Sequence, residues 1–433
     1  MDDGDEREVR APSAAVTRWT VVLTCVAVVA AAYLLAGLLH EREPELTTAP
    51  VTPVPATTEP PEPEYTYVTP TATYPVRIPG CEVVEPPQED RTVGMAFAGT
   101  REYDNPSYPW FSGPKAGAMT QALRAALPGD VEIAFAPVDA SLIFQPILGD
   151  GTQSLGGFTD ARATLLRGGR VGSLSVTVRQ SGEPVPPCVA GALDERRRLP
   201  DGTTVDLHDT WYELGGGRTL TRTATAYLPD GSVVHASASD GTDGGIRAIV
   251  LTGEELVALA TAAGLGTTAP IPPGTSGPPE SCGYADSAPV IDRAQARRWD
   301  AVLAGIPLGE LTLDRPLGAL LPADTGGVCQ VVRVTTPDRP SRLSVSISTG
   351  RPMPDRPSNS RARSLPDGAV VETEQWQGTT IGSGAPMRMG RTVTVTRPSG
   401  VEIVVSSAEA PEEALPYELL EAIATNPGFE VTR

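Results

Sequence analysis

Lysine and histidine are scarce in this sequence, and their scarcity removes several well-known catalytic motifs. Among 433 residues, Lys115 is the only lysine and there are three histidines. A phosphate-binding P-loop needs a lysine after a glycine, and a zinc-protease helix needs two histidines four residues apart. Neither motif occurs, nor does the G-x-S-x-G motif of serine hydrolases. The sequence therefore predicts no catalytic residue and no cofactor.

Positive charge and aromatic side chains are also in short supply. The 34 basic residues are outnumbered by 53 acidic ones, which gives a net charge of −19, and aromatic residues make up 5% of the chain. A chain of this charge repels the phosphate backbone, so we expect no nucleic-acid partner. The 44 glycines and 44 prolines instead predict that much of the chain lies in turns and loops.

One long apolar run lies near the N-terminus. Residues 19–39 carry no charged side chain, and this is the length that crosses a bilayer as a helix. The run is longer than the core of a cleaved signal peptide, so it predicts a single transmembrane helix and the membrane as a partner. More arginines precede the run than follow it, which predicts that residues 1–18 form a cytoplasmic tail.

Cysteine is limited to five residues, and Cys25 lies inside the apolar run. The other four follow the run, and an even number of cysteines suits disulfides in an oxidising compartment. Four cysteines allow three pairings. Because adjacent pairing keeps each bridge within one half of the chain, we expect Cys81 to pair with Cys188 and Cys282 with Cys329. The chain after the apolar run is accordingly predicted to be extracellular, at the cell membrane.

Two proline-rich stretches divide this extracellular part. Residues 40–80 are a Pro/Thr-rich linker, which could reach on the order of 100 Å as polyproline II. Residues 266–281, with the sequence GTTAPIPPGTSGPPES, are a second linker. The linkers leave two extracytoplasmic modules, residues 81–265 and residues 282–433.

The two modules share an ordered series of features. The tetrapeptide LPDG ends at Gly202 and Gly231 in the first module and at Gly368 in the second, where RPSG ends at Gly400. Pro, Asp and Gly suit tight turns between strands. The segments SLSVTV and RLSVSI alternate apolar and polar residues, which is typical of strands with one buried face. We therefore predict two related α+β modules, each with an antiparallel sheet of four or five strands and two helices.

This arrangement of a Pro/Thr linker, LPDG and GRTVTV hairpins and a closing LLEAIATNPGF helix resembles membrane-anchored envelope proteins of high-GC actinobacteria. The resemblance covers the last part of each module, and its motifs are signals of turns and packing. It implies a location in the cell envelope and carries no known activity.

The sequence offers one catalytic motif and few metal ligands. Ser112 and Lys115 have the S-x-x-K spacing of penicillin-binding proteins, but K-T-G and S-D-N are missing, so we interpret Ser112 as a helix cap. His208 and His235 lie in alternating segments and are expected on polar strand faces. A metal site at His208 with its neighbouring aspartates lacks a third ligand, and SDGTDGG from Ser239 is better explained by turns than by calcium. We therefore predict no metal site.

A cluster of arginines is the one charged feature that suggests a ligand. Arginine side chains bind phosphate and carboxylate in a fork geometry, although a solvated loop is the simpler explanation of such a run. The candidate anion-binding residues are Arg339, Arg342, Arg351, Arg356, Arg361 and Arg363.

Taken together, these features favour a membrane-anchored extracytoplasmic protein of the cell envelope that binds or interacts without catalysis. Its partner would be an envelope protein or polymer. One alternative is an envelope hydrolase or lipid-handling enzyme whose site the sequence does not reveal. Another is a signal transducer that works through the 18-residue tail. A deep pocket holding His208 or His235 beside a carboxylate would favour the enzyme. The turn-rich stretch 137–157, which has no counterpart of equal length in the second module, is the best candidate for a functional loop.

Overall fold

Two large antiparallel sheets dominate the structure, one in each predicted module. The computed structural model describes residues 67–87, 103–147, 157–241, 245–282, 288–335, 340–354, 361–378, 388–409 and 415–430. Residues 65–433 form one compact unit.

In the first half of the chain the elements follow one another as β1 (Tyr67–Val68), β2 (Val84–Glu85), α1 (Gly113–Ala125), β3 (Glu132–Ile133), β4 (Phe158–Arg167), β5 (Arg170–Gln180), β6 (Cys188–Val189), β7 (Glu195–Arg198), β8 (Thr204–Leu214), β9 (Gly217–Tyr227), β10 (Ser232–Ser239), β11 (Ile246–Arg247) and α2 (Gly253–Ala260). The second half contains α3 (Arg293–Ala304), β12 (Thr312–Leu313), β13 (Leu321–Pro322), β14 (Val328–Thr335), β15 (Pro340–Ser348), β16 (Ala362–Ser364), β17 (Val370–Gly378), β18 (Arg388–Thr396), β19 (Glu402–Glu409) and α4 (Tyr417–Ala424).

Six strands follow the same order in the two sheets: β8-β9-β10-β5-β4-β3 in the first corresponds to β17-β18-β19-β15-β14-β12 in the second. The first runs β1-β8-β9-β10-β5-β4-β3, with β7 and β11 attached at its sides, and the second runs β12-β14-β15-β19-β18-β17-β16, with β13 attached to β14. Val176 pairs with Ala236 across β5 and β10, and Val345 pairs with Val405 across β15 and β19. Both members of the second pair lie 169 positions after their counterparts, as Leu343 lies after Leu174. The shared order and register are the structural form of the repeated sequence features.

The recurring tetrapeptides form the same turn. Gly202, Gly231, Gly368 and Gly400 all have φ between 83° and 89°, a conformation that favours glycine. Each donates its N–H to the first residue of its own tetrapeptide, for example Gly202 to Leu199 O at 3.0 Å. These turns join β7 to β8 and β9 to β10, and their counterparts in the second sheet.

Each sheet has one apolar face, and the helices cover it. Leu174, Val176 and Val178 of β5 are buried in the first core, which also contains α1 and α2 residues such as Met119 and Leu256. The corresponding residues of β15 lie in a second core with α3 and α4. Alternation along the strands is therefore what positions the helices.

The predicted α+β class is wrong. The described residues are mostly antiparallel sheet, with nine strands in the first sheet and eight in the second, beside four α-helices of 8 to 13 residues. Strands of two to four residues, such as β3, β11 and β16, enlarge each sheet beyond the predicted four or five strands. Such short strands carry no readable periodicity.

The span predicted as a transmembrane helix, residues 19–39, lies outside the described residues, together with the predicted tail. Within the part of the chain that the structure describes, no helix is long and apolar enough to cross a bilayer.

Two disulfides are present, with the adjacent pairing predicted from the sequence. Cys81 bonds to Cys188 and Cys282 bonds to Cys329, with Cα–Cα distances of 6.2 and 6.1 Å. The first bridge joins a small cluster with Ile78 and Leu193, so the last residues of the 40–80 stretch pack on the first module. The second bridge ties the end of the inter-module linker to β14.

Candidate functional site

A cavity of about 540 Å³ lies between the two modules. One wall comes from the end of α1, residues 127–129 and residues 131–136, together with Ser141. The other wall comes from one face of α3 and from Leu321. We call this cavity the inter-module cleft. Its volume falls within the range of small-molecule sites, which is about 300 to 1,000 Å³.

Local sequence signals place both walls. Ser112 caps α1 by accepting the Lys115 N–H at 3.3 Å, and the chain leaves the helix before Pro128. The segment that follows is held on the first sheet, where Ala134 N–H donates to Thr164 O at 2.9 Å. Asp292 caps α3 by accepting the Gln295 N–H at 2.7 Å. The cap fixes where α3 begins.

Arg293, Ala296, Arg297 and Asp300 line the cleft from α3. Their spacing of three, four and seven positions puts them on one face of a helix. The buried side of the same helix carries Trp299 and Leu303, which pack in the second core. A helix at the edge of a core thus presents two cations and a carboxylate to the cavity.

Arg293, from the second module, contacts two residues of the first module that line the cleft. Its Nη2 donates to Ile133 O at 2.5 Å, and its guanidinium lies 5.7 Å from the centre of the Phe135 ring. Phe135 belongs to the first module but packs against the core of the second. Arg293 therefore has a structural role that accounts for its charge.

The other two cleft arginines, Arg124 and Arg297, use fewer of their N–H donors within the protein. Arg124 Nη2 donates to Ser141 O at 2.5 Å, and loss of hydration lowers the pKa of Arg124 although the residue reaches the surface. Arg297 is exposed and makes no hydrogen bond within the described residues. Neither of them forms an ion pair with any residue that the structure describes. Both guanidiniums keep N–H donors available to a ligand.

Two carboxylates share the cleft with these arginines. Asp300 Oδ1 accepts the Leu320 N–H at 2.8 Å. Burial raises the pKa of Asp300, against the attraction of Arg297, which lowers it. Glu132 lies on β3 and is exposed. The remaining lining is apolar and includes Leu127, Val131 and Leu321.

A second cavity of about 460 Å³ also lies at the junction of the modules, and both of its arginines pair with a carboxylate. Glu280, from the inter-module linker, lies 2.9 Å from Arg333 Nη2 and 2.9 Å from Arg342 Nε. Tyr103 donates its hydroxyl to Phe144 O at 3.1 Å, and burial raises the pKa of Tyr103. Because its charged groups pair with one another, this cavity offers little to an anion.

The arginines singled out from the sequence are not brought together. Arg342 pairs with Glu280, Arg351 with Glu402 at 3.3 Å and Arg363 with Glu421. Arg361 is exposed next to β16. Arg339 and Arg356 lie outside the described residues. None of the four described members of this set lines the inter-module cleft.

Lys115 has a structural environment. It is 2% exposed, and its Nζ donates to Gly266 O and Ala269 O, both at 2.7 Å. Burial lowers the pKa of Lys115. Because Ser112 serves as the helix cap and Lys115 holds the inter-module linker, the S-x-x-K spacing here positions chain segments.

The two described histidines lie on the first sheet, away from both cavities. His208 Nδ1 is 3.2 Å from Asp194 Oδ2, while the neighbouring Asp209 pairs with Arg222. His235 Nδ1 is 2.9 Å from Thr225 Oγ1, and burial lowers the pKa of His235.

The described residues contain no group of three side chains able to hold a metal ion. Asp240, directly after β10, accepts the Leu220 N–H of the neighbouring strand β9 at 2.7 Å. Asp243, the other aspartate of the turn-rich SDGTDGG stretch, lies outside the described residues.

Sequence reasoning missed the arginines of the cleft. Arg293 and Arg297 are four residues apart in RAQARRWD, so both can be assigned to one helix face. Arg124 lies far away in sequence, and only the packing of the modules brings it to the same cavity. Part of the predicted loop, 137–147, is described, and Ser141 from this stretch lines the cleft.

Comparison with known proteins adds little. No protein-family model matches this chain, and no curated protein is similar to it. Among solved structures, the di-domain ARO/CYC StfQ from the steffimycin biosynthetic pathway is 12% identical, with a TM-score of 0.15, over 72% of this chain and 87% of that one. The di-domain ARO/CYC BexL from the BE-7585A pathway is 12% identical, with a TM-score of 0.12, over 65% and 84%. At these TM-scores neither likeness supports a common fold or function.

Proposed function

We propose that this protein is a binding protein of the cell envelope that holds a small molecule in the inter-module cleft without transforming it. The observation that carries the proposal is the cleft itself. It combines an apolar lining with two arginines, Arg124 and Arg297, that form no ion pair within the described residues. Ligand sites in proteins are typically apolar cavities with a few polar groups that fix orientation.

The chemistry of the lining favours binding over hydrolysis. Among the described residues that line the cleft, Ser141 carries the one hydroxyl, and its Oγ donates to Ala136 O at 2.7 Å. Among the described residues that line the cleft there is no histidine, lysine or cysteine, so a serine nucleophile there would lack the histidine base that usually activates it.

The two disulfides support a position outside the cytoplasm. Structural disulfides form and persist in oxidising compartments. Both modules carry one, which fits the extracellular side of the cell membrane predicted from the sequence. Attachment to the membrane stays a prediction, because residues 1–64 lie outside the described part of the chain.

Two glycine substitutions provide a matched test of the cleft. Gly129 lines the cleft and Gly182 does not. A Cβ at either position would meet no atom within 4 Å, and neither glycine has a positive φ. Gly129→Trp should fill the cleft, whereas Gly182→Trp should add the same side chain elsewhere.

The full chain and both variants would be purified from the cells that naturally produce the protein, and bound small molecules would be identified by mass spectrometry. We expect a compound that accompanies the wild type and Gly182→Trp but not Gly129→Trp. Equal recovery from all three proteins would contradict the proposal. Return of the compound in altered form after incubation with the wild type would favour the enzyme.

A further inference from the structure

The charge of the inter-module cleft runs against the charge of the whole protein. The chain as a whole carries −19, yet the cleft is lined by three arginines and two carboxylates. Guanidinium groups are suited to carboxylate, phosphate and sulfonate oxygens because their N–H donors form a planar fork. A cationic cavity in an acidic protein indicates a site for an anion.

The three arginines differ in how much of their donor capacity is used. Arg293 already bridges the modules through Ile133 O and the Phe135 ring. Arg124 donates to Ser141 O, and Arg297 donates to no acceptor within the described residues. Each guanidinium has five N–H donors. Arg124 and Arg297 are therefore the groups with donors left for a ligand.

Desolvation strengthens the argument for Arg124. Partial burial of its side chain lowers the pKa of Arg124, although the residue still reaches the surface. A nearby anion would restore the lost electrostatic stabilisation of this cation, because opposite charges attract more strongly where water is displaced. Leu127, Val131 and Leu321 line the same cavity. Their apolar side chains favour contact with an apolar part of a ligand.

We infer that the ligand of the inter-module cleft is an amphipathic anion, with one acidic head that binds Arg124 and Arg297 and an apolar body that packs on Leu127, Val131 and Leu321. This inference rests on the proposed function, since it assigns a ligand class to the same cavity. The cavity of about 540 Å³ suits a single free molecule, so the proposed source is a free amphipathic acid.

Two fluorescent probes with the same apolar body separate the two halves of the inference. The probe 1-anilinonaphthalene-8-sulfonate carries an anionic sulfonate, whereas N-phenyl-1-naphthylamine is uncharged. Both would be titrated into the full chain and into Gly129→Trp. Fluorescence that persists in Gly129→Trp comes from probe bound outside the cleft and is subtracted. We expect the remaining signal of both probes to saturate.

Arg297→Gln tests the head group, and Arg298→Gln is its matched control. Both residues are exposed on α3, and Arg298 does not line the cleft. Arg297→Gln removes one charge-assisted contact, so the sulfonate probe should bind this variant about tenfold more weakly than the wild type, the equivalent of about 1.4 kcal/mol. The uncharged probe should bind Arg297→Gln as it binds the wild type. Arg298→Gln should leave both probes unchanged.

The outcomes distinguish the inference from the proposed function. If neither probe responds to Gly129→Trp, the cleft does not bind ligands and the proposed function fails. If the uncharged probe responds to Gly129→Trp but the sulfonate probe ignores Arg297→Gln, the cleft binds ligands and the inference of an anion is overturned.

Competition identifies the source of the anion. Dodecanoate should displace the sulfonate probe more strongly than dodecanol at equal concentration. Phosphatidylglycerol vesicles should displace it less than dodecanoate. Displacement by vesicles and not by dodecanoate would overturn the assignment to a free acid and identify the ligand as a bilayer lipid.

Discussion

Arg333 on β14 and Arg342 on β15 lie directly opposite each other in the antiparallel register. Like charges in this position destabilise a sheet. Glu280 relieves the repulsion because its two carboxylate oxygens each contact one arginine, at 2.9 Å in both ion pairs. The inter-module linker is thereby attached to the second sheet through charge.

Glu280→Gln should therefore lower the free energy of unfolding by about 1 kcal/mol, because it leaves two cations facing each other. Chemical denaturation would measure the change. The double variant Glu280→Gln/Arg333→Gln should lose less than Glu280→Gln alone, since one of the facing charges is gone. Glu310→Gln removes the same charge from an exposed residue and should change little. Equal losses in Glu280→Gln and Glu310→Gln would refute the role of Glu280.

Lys115 should act on stability through the linker. Lys115→Met removes the donor shared by Gly266 O and Ala269 O and should cost about 2 kcal/mol, as loss of a charged hydrogen-bond donor does. Ser112→Ala removes only the α1 cap and should cost about 1 kcal/mol. Denaturant titration of both variants would decide, and a Lys115→Met variant as stable as the wild type would contradict the structural role.

Glu255 should give the first module a stability that depends on pH. It accepts two hydrogen bonds from Arg167 and one from the Thr252 N–H, and these lower its pKa from 4.5 to about 2. A folded-state pKa below the unfolded value adds stability above about pH 4.5, and this stability is lost as the pH falls through 2.

Glu255→Gln should therefore be less stable than the wild type at pH 7, by about 1 kcal/mol, and the difference should vanish near pH 2. Glu254 is a suitable control because its side chain is 74% exposed. Glu254→Gln should show a smaller difference at pH 7. A loss in Glu255→Gln that stays constant from pH 7 to pH 2 would rule out the ionised carboxylate as its cause.

Sequence reasoning succeeded where a local signal has one structural solution. The LPDG turns need glycine at a positive φ, and Gly202 and Gly368 both have it. The alternation of Leu174, Val176 and Val178 predicts their common buried face. The disulfide pairing followed from keeping each bridge within one module.

It failed where the outcome depends on long-range packing. The short strand β3 pairs with the end of β4. A strand of two residues has no sequence pattern from which its partner could be predicted. Arg342 looked available for an anion, yet Glu280 from another segment neutralises it. Arg124 and Arg297 share a cavity only because the modules pack together. No periodicity within one element could have predicted that arrangement.

Asp300 links the stability of the second module to the charge of the cleft. Burial raises its pKa above the ordinary value of 3.8. For an acid whose folded-state pKa is raised, the folded state binds more protons than the unfolded state, so stability falls as the pH rises from 3.8 to the folded pKa. The ionised carboxylate therefore weakens folding at pH 7.

Asp300→Asn should be more stable than the wild type at pH 7, because the amide oxygen can still accept the Leu320 N–H while the buried charge is gone. The gain should disappear below about pH 3.8, where the carboxyl of the wild type is protonated in both states. Thermal unfolding from pH 3 to pH 7 would measure both effects, with Asp324→Asn, at an exposed turn, as the control.

Asp300→Asn also removes a negative charge from the cleft, so 1-anilinonaphthalene-8-sulfonate should bind this variant more tightly than the wild type. Weaker binding of this probe to a variant of unchanged stability would contradict both assignments of Asp300.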